Sequence, residues 1–373
     1  MGWRAALEMS RSHEVARLEE HRSFTRLTTT NLAPTGFDAV SAGLRWPAEF
    51  ERHTRTWMAW PVRRALWGEH LESVCADYGR LARAISQFEP VVMVANPGDG
   101  AAAQAECGAN VMVVEIPIDD SWTRDSGPTF IVGARQERKA VTWRFNGWGE
   151  SFVPFDKDAR LASRIAEAAA VPVVASQLVV EGGAIVTDGE GTLVTTESCL
   201  LSPRRNGDLR KVEVEAELKR MLGVSKVIWL PGDPSEAETD GHIDGIMAFA
   251  RPGVVVLESS SDRTHDRYEV LRENRRALEL ARDAAGRSIA IVPIPSANDA
   301  VPVGNRYCRS YVNFYIANGA VIAPAYGISS DDDIASLLQE VFPTRRVVML
   351  PIGCIAVGGG GFHCVTQQEP APP

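Results

Sequence analysis

Five times along this chain a helical stretch gives way to a short β-branched run, and that recurrence constrains the fold more than any other feature. The first helix is predicted over 71–88, where Leu71, Val74, Tyr78, Leu81, Ile85 and Phe88 recur at steps of three and four on one face. Val91–Ala95 then reads as a buried strand, broken by Asn96-Pro97-Gly98-Asp99-Gly100, and a further strand is predicted over 111–118. Later helices are expected near 158–170, 211–222, 267–285 and 331–342, followed by apolar runs at 178–180, 227–230, 289–294 and 347–350. Two hairpins lie between them, 183–187 with 192–196 across Asp188-Gly189, and 245–250 with 254–257. The helices start near 71, 158, 211, 267 and 331, at intervals of 87, 53, 56 and 64 residues. No residue-level similarity accompanies the spacing, so the repeat is one of pattern. The expected class is α/β. Closed into a ring, five such units would turn five strand-end loops toward one axis, where α/β proteins place their ligands.

The 373 residues, 45% apolar and 23% charged, are ample for a core in one large domain or two ordinary ones. A net charge of −9 argues against non-specific binding of nucleic acid, which needs a basic surface. Six cysteines without a Cys-x-x-Cys pair suggest neither a disulfide framework nor a zinc site, and a reducing, cytoplasmic setting is expected. No apolar signal-peptide stretch is seen at the N-terminus, and no run approaches the roughly 20 apolar residues of a membrane span. Residues 1–43 are polar and read as an extension, helical around 4–22; residues 44–370 read as a single catalytic domain.

The chemistry gathers near the end, in Gly358-Gly359-Gly360-Gly361-Phe362-His363-Cys364. Four glycines let a ligand approach the main chain closely, and a thiol on such a loop is a candidate nucleophile. A small buried cysteine ending a turn fits the stretch equally well. No Gly-Lys-Ser or Gly-Lys-Thr follows, which removes a phosphate loop. Other strand ends carry Asp119, Asp120, Trp122, Arg124 and Asp125; Glu181 before two glycines; and His242 and Asp244. Each has a purely structural reading: an Arg124–Asp125 ion pair, a turn capped by Glu181, a hydrogen-bonded His-x-Asp turn, a His363 facing away from Cys364. Their recurrence at equivalent loops favours a shared site. A thiolate attacks a trigonal carbon and a histidine shuttles protons. Several carboxylates would only raise the thiol pKa beside an ester or amide, but they pair in forked fashion with a guanidinium. The set points to cysteine attack on a guanidinium carbon.

Trp57-Met58-Ala59-Trp60-Pro61, Trp122-Thr123-Arg124-Asp125-Ser126-Gly127-Pro128, Trp143-Arg144-Phe145-Asn146-Gly147-Trp148-Gly149, Glu181-Gly182-Gly183, Thr239-Asp240-Gly241-His242-Ile243-Asp244, Asn313-Phe314-Tyr315 and the Cys364 stretch resemble, in this order, the agmatine deiminase branch of the peptidylarginine-deiminase-like superfamily. The resemblance covers roughly 44–370. It implies a five-bladed α/β propeller, the pentein fold, of pseudo-five-fold repeated αβ units. It also implies hydrolysis without metal or cofactor, through a covalent thiouronium on Cys364. By the same resemblance His242 is the proton shuttle, Asp125 and Asp244 grip the guanidinium, and Glu181 orients His242 or the substrate. Trp122 lies along the aliphatic chain, and the glycine run through Gly361 packs on the substrate. The substrate implied is a small cationic guanidino compound, agmatine first, giving N-carbamoylputrescine; a homodimer is left open. The chain departs from the familiar pattern at Ala184-Ile185-Val186, Gly245 and Tyr307-Cys308-Arg309. Arg309 would repel a far ammonium and suit a carboxylate-bearing guanidino compound. Three alternatives stay open: an amidinotransferase, a non-catalytic binder, and a metal site of His242, Asp244, His363 and Cys364, whose spacing matches no familiar motif.

Overall fold

Antiparallel pair, helix, parallel strand: each of five small sheets repeats this order, and in four of them the pair is a hairpin. The computed structural model describes residues 36–373, and Phe37–Pro373 form one compact unit of mixed α/β structure. In the first sheet Thr129–Gly133 pairs antiparallel with Arg138–Arg144, helix Leu161–Ala168 crosses over, and Val173–Val179 returns parallel. The second uses Ile185–Thr187, Thr192–Thr196, helix Lys211–Leu222 and Lys226–Leu230. The third uses Met247–Arg251, Val254–Glu258, helix Tyr268–Leu280 and Ala290–Ile294. The fourth uses Tyr315–Ala317, Ala320–Ala325, helix Ser330–Val341 and Arg346–Pro351. The fifth joins the two ends of the unit. C-terminal Gln367–Pro370 pairs antiparallel with His53–Ala59, helix Leu71–Ile85 follows, and Val91–Ala95 and Val111–Glu115 add in parallel.

The local reasons are ordinary. Val91–Ala95 is buried at every residue, the continuous apolar run of a parallel strand covered on both faces. Helix Leu71–Ile85 buries Val74, Tyr78, Leu81, Ala82 and Ile85 on the face its spacing foretold. The strand expected over 111–118 stops at Glu115, because Pro117 cannot donate to a ladder and restrains Ile116. Helix Gly100–Cys107 escapes a periodicity reading, since an alanine-rich segment burying only Ala103 and Cys107 has no apolar stripe. The hairpins at 129–144 and 315–325 were likewise not anticipated. The packed chain starts before Leu44: Ala39 is fully buried and its N–H donates to the carbonyl of Arg220. The helix expected around 4–22 lies outside the described residues. Among the described residues no helix is long and apolar enough to cross a membrane.

The closing sheet matters most for the site. Trp57 Nε1 donates to buried Glu369 at 2.9 Å, and Arg124 Nη1 donates to Gln368 at 2.7 Å. These bonds clamp the last strand in register and fix Cys364 just ahead of it.

Candidate active site

The loops that follow the last strands of four of the five sheets line one cavity of about 710 Å³, and the loop after Val173–Val179 backs it by placing Glu181 against His242 and Gly183 against Asp125. Trp122 and Asp125 come after Val111–Glu115, Glu181 and Gly183 after Val173–Val179, and His242 and Asp244 after Lys226–Leu230. Asn313 follows Ala290–Ile294, and Cys364 follows Arg346–Pro351. Cys364 lies on a turn, with Sγ 3.5 Å from Asp244 Oδ2 and 3.4 Å from Asn313 Oδ1. The Asn313 carboxamide also accepts the N–H groups of His363 and Cys364 at 3.1 and 3.3 Å, and its Nδ2 donates to the Asp244 carbonyl at 3.2 Å. One amide thus pins the cysteine turn to the Asp244 turn.

His242 faces carboxylates with both ring nitrogens. Nδ1 is 3.7 Å from Asp125 Oδ1, and Nε2 is 3.5 Å from Glu181 Oε2. Glu181 is fully buried and paired with Arg205, whose Nε lies 2.8 Å from its Oε2, while Arg205 Nη1 reaches Asp240 at 2.6 Å. The turn before His242 depends on left-handed backbone at Asp240 (φ 60°) and Gly241 (φ 83°). A Cβ on Gly241 would meet the Asp233 main chain at 2.5 Å.

Asp125 is held on two sides. Trp148 Nε1 donates to Oδ2 at 2.8 Å and the Gly183 N–H donates to Oδ1 at 2.9 Å. Trp148 reaches that position through a run of left-handed residues, Gly147, Trp148 and Gly149, at φ 64°, 56° and 71°. Asp244 accepts from His363 Nδ1 at 2.8 Å, and His363 Nε2 contacts Glu49 at 2.8 Å. His363 and Cys364 therefore both approach Asp244; they sit on a turn, where the alternation of a strand does not apply.

Charge and burial set the protonation states. Burial, then the charges of Asp244 and Asp125 and the neighbouring Cys308, push the Cys364 thiol well above its ordinary value; the Gly361 backbone works the other way. Burial alone would pull His242 down, but Asp125, Cys199 and Glu181 outweigh it and hold the imidazole well above its usual pKa. Burial likewise opposes ionisation of Glu181, and the Arg205 and His242 partners overcome it, leaving a pKa of about 2. Asp125 is raised, by burial first and then by Asp244 and Glu181. Asp244 is lowered, because its bond to His363 and the nearby cations outweigh burial. The Cys364 thiol is thus held protonated, beside two carboxylates whose charge opposes its ionisation.

All five residues assigned to chemistry from the sequence, Cys364, His242, Asp125, Asp244 and Glu181, are thus gathered here. Trp122 lines the cavity, tilted against Trp67 with ring centroids 5.6 Å apart. Arg309 lines it too, with Nη1 directed to the Asn298 carbonyl at 3.4 Å. Gly361 is placed differently from its neighbours: Gly358, Gly359 and Gly360 form the wall, whereas Gly361 abuts Asn313, where a Cβ would lie 2.5 Å from Oδ1. Gly360 must lack a Cβ because Trp122 would be 2.4 Å away. Residues to which sequence reasoning gives no part are Trp148, Gly183, Asn313 and Glu49; His363, expected to face away from Cys364 or to serve as a metal ligand, is instead a partner of Asp244. The first three stand inside quoted motifs, Asn-Gly-Trp-Gly, Glu-Gly-Gly and Asn-Phe-Tyr, so a signal existed. Glu49, in Pro47-Ala48-Glu49-Phe50, had none.

Gly183 yields a direct test. A Cβ there would lie 2.6 Å from His242 Nδ1, 2.8 Å from Asp125 Oδ1 and 3.0 Å from Asp244 Oδ2. Its φ is not in the left-handed region, so alanine suits the backbone and only crowds the site. Gly183→Ala is expected to lower kcat/KM about 100-fold or more with little change in Tm. A near-normal rate would show that this point is not part of the working site.

Residues 45–370 match the family described as Porphyromonas-type peptidyl-arginine deiminase, and the chain belongs to that family of guanidine-modifying enzymes. Within it the chain is most informatively compared with agmatine deiminases. That of Pseudomonas aeruginosa (strain UCBPP-PA14) is 40% identical over 355 residues, spanning 88% of this chain and 96% of its own. That of Ectopseudomonas mendocina (strain ymp) is 39% identical over 372 residues, spanning 93% and 99%. The solved agmatine deiminase of Enterococcus faecalis aligns with a TM-score of 0.87 at 32% identity, covering 91% of this chain and 99% of that one.

Proposed function

We propose that the protein is an agmatine deiminase, hydrolysing the guanidinium group of agmatine to N-carbamoylputrescine and ammonia. The observation that carries this reading is a thiol 3.5 Å from one of two buried carboxylates, with a histidine between the second carboxylate and a Glu–Arg pair. A guanidinium seated on Asp125 and Asp244 would bring a positive charge directly beside the thiol. Its charge would offset the two carboxylates that oppose thiolate formation, so the nucleophile becomes competent when substrate arrives.

The chemistry then balances in two halves. As the guanidinium seats, the Cys364 thiol gives up its proton to solvent; the thiolate adds to the guanidinium carbon, the C–N bond to the leaving nitrogen breaks, and ammonia departs with a proton from His242 Nδ1. The remaining thiouronium is attacked by water, which gives its proton back to His242. Collapse of the adduct breaks the C–S bond, frees the thiolate and leaves the ureido product, whose hydroxyl proton passes to solvent. Glu181, locked by Arg205, holds the imidazole from its Nε2 side. Asp125 and Asp244 keep the carbon within about 3–3.5 Å of sulfur. The same sheet order repeated five times supports reading the sheets as blades around a pseudo-five-fold axis, with the cavity at its mouth.

Ammonia and ureido product, measured over a panel of guanidino amines and guanidino acids, test the reading. Turnover is expected for agmatine above all others. Folded protein that releases ammonia from none of them would end it, and amidino transfer to an added amine, detected by product mass, would replace it with a transferase.

A further inference from the structure

Directly behind the nucleophile lies a largely buried chain of charges. His363 presents Nδ1 to Asp244 Oδ2 and Nε2 to Glu49 Oε2, each at 2.8 Å. Glu49 is anchored on its far side. Its Oε1 accepts the Ile316 N–H at 2.8 Å, and its Oε2 also meets Arg124 Nη2 at 3.1 Å. Arg124 is fixed in turn: Nη1 donates to Gln368 at 2.7 Å, Nε to the His363 carbonyl at 3.3 Å, and the main-chain N–H to the Cys364 carbonyl at 3.3 Å. Glu49 therefore ties together Arg124 and His363, the residues that precede Asp125 and Cys364 in the chain.

A neutral imidazole carries one N–H and one bare lone pair. Between two ionised carboxylates at 2.8 Å, the bare nitrogen would face an oxygen with no proton to give, so this placement requires both nitrogens to donate. The charges agree. Burial opposes ionisation of Glu49, but His363 and Arg124 overcome it and leave a pKa of about 2. Burial and then Arg124 pull His363 down, yet Glu49 and Asp244 outweigh them and hold it above its ordinary value. Asp244 is itself lowered, so both flanking groups are anions.

The sulfur makes this donor matter. Asp244 Oδ2 has the His363 N–H on one side and the Cys364 thiol, 3.5 Å off, on the other. When the thiol ionises, that second donor becomes an anion against the same oxygen. We propose that His363 is a positioning residue, an imidazolium braced by Glu49 whose Nδ1–H keeps Asp244 in place while Cys364 is a thiolate. This rests on the reading of the site as a guanidine deiminase, and it gives a part in the reaction to a side chain that does not line the cavity.

Two amides separate the two contacts of the ring. In His363→Asn the side-chain nitrogen falls near the place of Nδ1 and still donates to Asp244. In His363→Gln it falls near the place of Nε2 and serves Glu49 instead. Both variants remove the same charge. His363→Gln is expected to lower kcat for agmatine about 100-fold, and His363→Asn less than about tenfold. In Cys364→Ser protein the hydroxyl still donates and no thiolate forms, so agmatine affinity should differ between the two variants by less than about threefold. Equal losses of kcat would overturn the proposal, as would a loss confined to binding. A second measurement needs neither turnover nor a folded His363 variant: two-bond proton–nitrogen spectra of histidine-labelled protein, with His363 assigned by labelling Phe362–His363, the one Phe-His step in the chain. Both His363 nitrogens should be protonated at neutral pH in the parent. Glu49→Gln should lower the midpoint at which one proton leaves by about one unit or more. A bare Nδ1 at neutral pH, or a midpoint unmoved by Glu49→Gln, would overturn the proposal. A protonated Nδ1 in protein that turns over no guanidino compound would refute the deiminase reading and leave the braced imidazolium standing, and turnover with a bare Nδ1 would do the reverse.

Discussion

Cys364→Ser is expected to lower agmatine turnover by about 10⁴-fold or more, with Tm nearly unchanged. The size follows from what the sulfur does. In water a serine hydroxyl ionises far less readily than a thiol, and this site already disfavours an anion at position 364, through burial and the charges of Asp244 and Asp125. A thiol can be driven to thiolate by the arriving guanidinium; a hydroxyl with the same neighbours cannot. The fold has little stake in the sulfur. The turn is held by Asn313 through the main-chain N–H groups of His363 and Cys364, and by the pairing of Gln367–Pro370 with His53–Ala59. Steady-state rates alongside thermal unfolding check both halves. A variant with residual activity within about tenfold of the parent would remove Cys364 from the chemistry.

Asp244→Asn is expected to move two readouts in opposite directions. Turnover should fall about 100- to 1,000-fold, because half of the cation grip is lost and the carbon is no longer held over sulfur. Alkylation of Cys364 by iodoacetamide in the absence of substrate should instead accelerate, about tenfold for each pKa unit by which the thiol drops. The sign is fixed by electrostatics. Asp244 is ionised and adjacent to the thiol, so its charge raises the thiol pKa. Asparagine removes that charge, the pKa falls, and at any pH below it more thiolate is present. In the parent the alkylation rate should be low at neutral pH and should climb as pH rises past the ordinary cysteine range. A loss of turnover with slower alkylation would mean that Asp244 supports the thiolate, contrary to this account.

The recurrent order of helix and β-branched run was legible because crossover helices and buried parallel strands write themselves as apolar stripes and apolar runs. Leu71–Ile85 and Val91–Ala95 are examples. The edges were less so: Gly100–Cys107 packs through alanine, and Tyr315–Ala317 with Ala320–Ala325 is nearly all buried, without alternation. In the site, residues whose chemistry is intrinsic to the side chain could be picked out, since thiol, imidazole and carboxylate at strand ends suggest function by type alone. Residues that act by geometry could not. Gly183 matters for an absent Cβ, Trp148 for an indole N–H delivered by left-handed backbone, and Asn313 for one oxygen that gathers two main-chain N–H groups and faces the Cys364 sulfur. His363 was discounted because strand neighbours face apart, and the turn at 361–366 voids that argument. Glu49 reaches His363 and Arg124 from far along the chain, a contact that only the closed fold creates.

The most direct measurement is peptide mass mapping of protein quenched with acid while it turns over agmatine. A covalent mass equal to agmatine less ammonia should appear on the peptide bearing Cys364, and on no peptide of the Cys364→Ser variant. Steady turnover with no such adduct, or the adduct found on Cys199 or Cys308 instead, would contradict sulfur attack by Cys364 on the guanidinium carbon.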